Sequence, residues 1–294
     1  MSWGVPPLAV LLLISGSILS NAQTATCTNW KFFNLPSPAG LSTIPRGINR
    51  WDTVVGYGQS SDASTALGFI RYSNGAFKTY AAPNASRTYL TRRNALGVTV
   101  GWYTASANQN ARGLVLSGSN TATVNYPGAN ESILLGIHYW HTMVGIFTFG
   151  DFSLPYDGFK LKNGVFTTLH YPGSVTTNPS SISDKGVIAG WYQNGGYHKY
   201  HGFTLANGVY KTLDHPKAVY GTFLNDVNGS GVIPGIYVDR SSQGHPFIYI
   251  NGSFKDVHGP NIQVLSVDGI NGYGYVTGTA SNATGSTAFT AHCQ

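Results

Sequence analysis

Residues 158–201 read GFKLKNGVFTTLHYPGSVTTNPSSISDKGVIAGWYQNGGYHKYH, and at Gly202-Phe203 the same phrase begins again. The stretch holds a strand-like run (GFKL), an Asn163-Gly164 turn and a second run (VFTTLHY). A Pro172-Gly173 break follows, then an apolar position at Ile182, the turn SDKG, and a third run ending in Ile188-Ala189-Gly190-Trp191-Tyr192. No run has helical length or a helical apolar period, so the phrase is built from short strands and tight turns.

Aligned on Gly-Phe, the phrase recurs at Gly68, Gly113, Gly158, Gly202, Pro246 and Ala288, with gaps of 45, 45, 44, 44 and 42 residues. The glycine after the third run recurs at Gly56, Gly101, Gly145, Gly190, Gly235 and Gly278. The short apolar run recurs as Gly47-Ile48-Asn49, Arg93-Asn94-Ala95, Gly136-Ile137, Ser181-Ile182-Ser183, Asp226-Val227-Asn228 and Gly269-Ile270-Asn271. Self-similarity at about 40–50 residues marks a solenoid or a propeller. Four short β-runs per period select the propeller, so the expected fold is all-β, with six four-stranded antiparallel blades around a central channel.

In chain order, strand a is the Ile-Asn run, b ends at Gly-Tyr, c starts at Gly-Phe and d is the Phe-Thr run. The a–b links are tight, and the c–d links are Asn-Gly hairpins at Asn74-Gly75, Asn163-Gly164, Asn207-Gly208 and Asn251-Gly252. Asn-Gly supplies the positive φ angles that a two-residue hairpin turn needs. The b–c links and d–a crossovers are longer. Alternate links emerge on opposite faces, which puts the long loops on one face, and loops on a rigid scaffold are where function is expected.

Residues 1–22 read as a secretory signal: Leu8 to Ile14 is a short apolar core, and Ser20-Asn21-Ala22 fits a cleavage site. The propeller domain would then span 23–294. It starts inside a repeat, since Cys27-Thr28-Asn29-Trp30-Lys31-Phe32-Phe33 matches strand d, and ends at a strand c that contains Cys293. The last blade therefore takes strands a–c from the C-terminus and d from the N-terminus. Cys27 and Cys293, the only cysteines, fall on neighbouring strands of that seam, and an oxidising compartment favours their pairing.

Charged residues are sparse, and Glu131 is the only glutamate. The net charge of +6 is spread without a Lys/Arg tract, which argues against a nucleic-acid partner; no run is long enough for a membrane span. The expectation is a secreted monomer with no cofactor and no metal.

The phrase Gly-Phe…Asn-Gly…Phe-Thr…Tyr-Pro-Gly…Ile-Asn…Gly-Val-Ile…Gly-Trp-Tyr resembles the tandem repeats of bacterial extracellular proteins of the HAF-repeat type. Gly158–Tyr192 and Gly202–Tyr237 are the best copies. His201-Gly202-Phe203 matches the family's His-Gly-Phe signature, while Arg112-Gly113-Leu114 and Asp157-Gly158-Phe159 depart from it. The resemblance covers 23–294 and implies a secreted protein; it carries over no catalytic residue.

Aromatic residues follow strand b at Trp102-Tyr103, Phe147, Trp191-Tyr192 and Tyr237, with Tyr57 at the first such position of another blade. Aromatic rings stack on sugar faces, so Tyr103, Tyr192 and Tyr237 are candidate ligand-binding residues on the long-loop face. Packing between blades competes with that reading, because strand side chains alternate. Arg92 and Arg93 enter the strand nearest the channel, where an arginine can grip a carboxylate or sulfate, so Arg93 joins the candidates. His198 is included as a group that a lyase would need beside Arg93 and Tyr197. His201 and His245 hold repeat positions and are expected to bond the neighbouring blade. Asp214, Asp239 and Asp268 are the carboxylates nearest the long loops. Tyr139-Trp140-His141 breaks the a–b turn pattern of its blade.

These observations point to a binding module that recognises an extracellular glycan or another extracellular partner on the long-loop face. The alternatives are a polysaccharide lyase or hydrolase at the channel mouth, and a protein-interaction scaffold using Tyr139-Trp140.

Overall fold

The computed structural model describes residues 23–36, 40–106, 110–152, 155–195, 200–283 and 285–294; the segment read as a secretory signal lies outside them. Among the described residues there is no helix, and none is long and apolar enough to cross a membrane. The strands pair a–b–c–d in six antiparallel units: 42–80, 87–124, 131–169, 176–212, 221–256, and 263–293 completed by Cys27–Phe33.

Two of the repeat registers lie directly opposite one another. The phenylalanine of strand c in five units (Phe69, Phe159, Phe203, Phe247 and Phe289) is fully buried. Each lies opposite a strand-b glycine: Gly56, Gly145, Gly190, Gly235 and Gly278. A Cβ built on any of these glycines would first meet a carbonyl oxygen of strand a. At Gly56, Gly145, Gly235 and Gly278 it would also meet the opposing ring, Phe159 lying 2.7 Å from a Cβ on Gly145. The glycine recurs because strand a and, in four units, the ring leave no room for a side chain.

The turns behave as Asn-Gly pairs require. Asn163-Gly164, Asn207-Gly208 and Asn251-Gly252 have positive φ at both residues. Asn74-Gly75 differs: only Gly75 is left-handed, and the loop is closed between Tyr72 and Ala76, one residue longer. The sixth unit departs in another way, because Asn282 pairs directly with Gly285 and its b–c link is short.

At the seam, Cys27 lies opposite Cys293 and the two form a disulfide. Just before it, Gln23–Thr24 runs parallel to Lys255 and Asp256 of the fifth unit. The N-terminal segment therefore ties the fifth unit to the sixth.

Between units, the residue before a crossover proline stacks on a strand-b aromatic ring of the next unit. Tyr126 lies on Phe147 at 3.6 Å, Tyr171 on Tyr192 at 3.6 Å and His215 on Tyr237 at 3.8 Å. Burial pushes the His215 imidazole down to about 4, with Asp256 opposing. The sign follows from linkage. Above pH 6.5 the ring is neutral whether folded or unfolded. Between pH 6.5 and about 4 the unfolded chain takes up a proton that the folded ring refuses, so stability falls as pH falls. We expect this ring to cost about 2 kcal/mol over that window. His215→Tyr, the residue standing at Tyr126 and Tyr171, should flatten the pH dependence of the urea midpoint there. An unchanged slope would refute the assignment.

Candidate binding site

The tight a–b turns carry a belt of hydrogen bonds that links the units. Asn49 Oδ1 accepts the N–H of Trp51 (2.9 Å) and of Thr53 (3.1 Å), closing its own turn. Its Nδ2 donates to the Asn94 carbonyl of the next unit at 3.2 Å. Asn94, Asn228 and Asn271 repeat both roles, and Asn271 donates back to the Asn49 carbonyl at 3.1 Å. This double duty explains why Ile-Asn marks the repeat.

In the third unit His138 takes the asparagine's place. Its Nδ1 accepts the Trp140 N–H at 2.9 Å, so the neutral ring carries its proton on Nε2 and donates to the Asp184 carbonyl at 3.0 Å. The turn itself is kept, with His141 N–H bonded to the His138 carbonyl and His141 in the left-handed region. Tyr139-Trp140-His141 is therefore a substitution within the pattern and does not break it. Ser183 is too short to span units; it caps its own turn, and Ser181 bonds Asp226 across that junction at 2.5 Å.

The belt surrounds a polar cavity of about 310 Å³ that has Arg92 in its lining. Each turn projects its third residue beyond the belt. At that position Trp51 is 58% exposed, Leu96 51%, Trp140 73% and Tyr273 58%. The Arg50 guanidinium lies 4.8 Å from the Trp51 ring centre and donates to the Tyr273 hydroxyl at 3.4 Å, joining two of these rings. Arg93 lines the cavity and is held by a 2.7 Å bond to Thr99, and burial lowers its guanidinium from the usual value.

The tyrosines expected on the long-loop face are placed otherwise. Tyr192 is 5% and Tyr237 3% exposed. Each ring is covered on both sides, Tyr192 by Tyr171 and His201, Tyr237 by His215 and His245. Burial holds both hydroxyls up at about 12. No sugar can stack on either ring, so their ligand-binding assignment is corrected. Tyr103 is half-buried beside Ala82, which stands where other units have Tyr or His, and its hydroxyl bonds Thr123. Trp102 stacks on Tyr89, and Trp191 packs edge-on to Tyr156, Tyr200 and Phe223. His198 and Tyr197 lie outside the described residues.

Strand a is bulged in four units, at Pro45/Gly47, Leu90/Arg92, Leu134/Gly136 and Pro179/Ser181. The extra residues, Arg46, Thr91, Leu135 and Ser180, line a second cavity of about 210 Å³ with Arg92, Asn178, Trp191 and Asn225. Bulges re-aim side chains in this way. Arg92 lies in the lining of both cavities. In this region Arg46 is paired with Asp268 at 3.1 Å; burial raises the Asp268 carboxyl, and Arg46 opposes it.

The remaining candidate carboxylates serve histidines. His201 bonds Asp214 at 2.7 Å and His245 bonds Asp239 at 2.8 Å, in each case within its own unit and not across to a neighbour as expected. Among the described residues no group of three or more His, Cys, Asp or Glu side chains could hold a metal ion. Sequence reasoning singled out Trp140 but missed Trp51, Leu96 and Tyr273, although all four share one repeat offset, two residues after the Asn or His cap.

No family model and no curated protein matches the chain. Among solved structures it is similar to TolB from Acinetobacter baumannii, with a TM-score of 0.53 and 10% identity over 82% of this chain and 64% of that one. It is also similar to a gluconolactonase from Xanthomonas campestris, with a TM-score of 0.52 and 9% identity over 94% of this chain and 99% of that one. At these identities the likeness concerns architecture alone: the chain is an all-β protein with a β-propeller fold.

Proposed function

We propose that the protein is a secreted, six-bladed β-propeller that binds an extracellular glycan on its tight-turn face, without chemistry of its own. The observation that carries this reading is the rim: Trp51, Leu96, Trp140 and Tyr273 stand more than half exposed at one repeat position around a polar cavity. Flat rings beside amide, guanidinium and hydroxyl groups match the apolar faces and hydroxyl edges of a sugar. The belt that returns from Asn271 to Asn49 supports a closed ring of six blades. The Cys27–Cys293 bridge fits an oxidising, extracellular compartment. The carboxylates singled out for a hydrolase are held by other side chains, Asp214 and Asp239 by histidines and Asp268 by Arg46.

The test is a panel of immobilised polysaccharides scored for retention and for new chain ends. Retention without cleavage is expected. Trp51→Ala, Trp140→Ala and Tyr273→Ala should each weaken it by about tenfold, the value of one lost stacking contact. Phe149→Ala, which removes an exposed ring from a b–c loop, should leave it unchanged. New chain ends would establish an enzyme instead, and no retention on any glycan would overturn the reading.

A further inference from the structure

We propose that the groove between the third and fourth units binds a segment of an acidic polysaccharide. Its uronate or sulfate groups would lie against Lys160, Lys162 and Lys185, and one sugar ring against Trp140. The inference deepens the glycan reading, since Trp140 belongs to both the rim and the groove.

The groove is open and large, about 1020 Å³. Lys160 and Lys162 are two apart on strand c of the third unit, so both point to the side faced by Gly158, which packs against Pro179 of the fourth unit. Lys185 enters from the a–b turn of the fourth unit and Trp140 from that of the third. None of the ion pairs among the described residues involves these three lysines. Asp184, the acidic residue in the lining, accepts the Tyr139 N–H at 3.0 Å. His170, at another part of the groove, is bonded to Asp157 at 2.7 Å.

The lysines are private to this junction. At the position of Lys160 the other units carry Ile70, Val115, Thr204, Ile248 and Thr290, all uncharged. At the position of Lys162 they carry Tyr72, Ser117, Ala206, Ile250 and His292. Two positions that carry no lysine or arginine in the other units have thus been charged in one copy, facing the gap that also holds the most exposed tryptophan among the described residues. A polymer with regularly spaced anions and flat sugar faces satisfies both features. A nucleic acid supplies anions too, but one exposed ring gives little platform for successive stacked bases.

The experiment measures retention of the full chain on heparin and polygalacturonate against neutral dextran and single-stranded DNA. Binding to the acidic polysaccharides is expected at low salt, with release by about 0.5 M salt, where exposed charges are screened. Lys160→Gln/Lys162→Gln/Lys185→Gln should lower that affinity about tenfold or more, three exposed pairs being lost, without moving the thermal midpoint. Lys31→Gln/Lys78→Gln, which removes the same type of charge elsewhere, should not. Equal affinity of the triple variant and the wild type would overturn the proposal, as would equal retention of DNA. Retention of neutral glycans alone would also overturn it while leaving the rim reading intact. Acidic chains retained through the lysines, with rim variants other than Trp140→Ala silent, would sink the rim reading and leave this one standing.

Discussion

Cys27→Ser/Cys293→Ser is expected to lose about 5 kcal/mol of unfolding free energy, the largest single effect in the molecule. The bridge joins residues 266 apart in sequence, and the chain-entropy cost it removes from the folding reaction grows with the logarithm of the closed loop. That loss is comparable with the whole stability of many domains, about 5–15 kcal/mol. What would remain at the seam is the pairing of Cys27–Phe33 with Gly285–Cys293, interrupted between Thr28 and Lys31, and the Trp30 ring against Phe289 at 4.9 Å. The bond from Gln294 N–H to the Thr26 carbonyl would remain too. Urea unfolding of the variant and of reduced wild type should agree, and amides of the seam strands should exchange fastest. A loss below about 1.5 kcal/mol would mean that these contacts close the protein unaided.

The units were legible in the sequence because their marks answer local demands. Gly56, Gly145, Gly190, Gly235 and Gly278 let the strand-a backbone approach closely, and the Asn-Gly pairs supply left-handed turns. Such demands are read from a few adjacent residues. The seam was legible for a related reason: strand d of the last unit is missing from one terminus and present at the other, and a cysteine marks each.

The site was less legible, because its residues answer to partners distant in sequence. Tyr192 and Tyr237 look available along their own strand, yet the rings that cover them, Tyr171 and His215, come from the preceding crossover. Long loops drew the reading to the face opposite the exposed rim. The exposed rings belong to the shortest turns, where an asparagine side chain closes the turn and leaves the third residue with nothing to pack against. Arg92 and Arg93 posed the same difficulty. Alternation alone does not say which points inward; the bulge between Leu90 and Arg92 decides it.

Arg92→Met is the second large effect expected, a loss of about 3–4 kcal/mol. The residue is 8% exposed, and its guanidinium donates to the carbonyls of Arg46, Asn225 and Asp268, drawn from three other units. Its Nε lies 3.5 Å from Asp226 Oδ1. Burial lowers the guanidinium from its usual value, and Asp226 opposes that shift. Methionine keeps the apolar stem but leaves three carbonyls without this donor and Asp226 without its countercharge. Removing one partner of a buried pair costs about 3–5 kcal/mol, chiefly because the other charge stays behind. Lysine is no substitute, since one ammonium cannot present the planar fork that reaches several carbonyls. The inner strands offer no slack either: a Cβ on Gly47 would meet the Arg92 side chain at 2.9 Å, and one on Gly269 would meet Gly47 at 2.9 Å. Adding Asp226→Asn should then recover part of the loss, a coupling of about 1–3 kcal/mol between touching residues. Equilibrium unfolding of the single and double variants measures that coupling directly. Strict additivity would show that the ion pair adds nothing and that the carbonyl bonds and the stem account for the loss, whereas recovery in the double variant would identify the ion pair as an element that holds the inner strands of different units together.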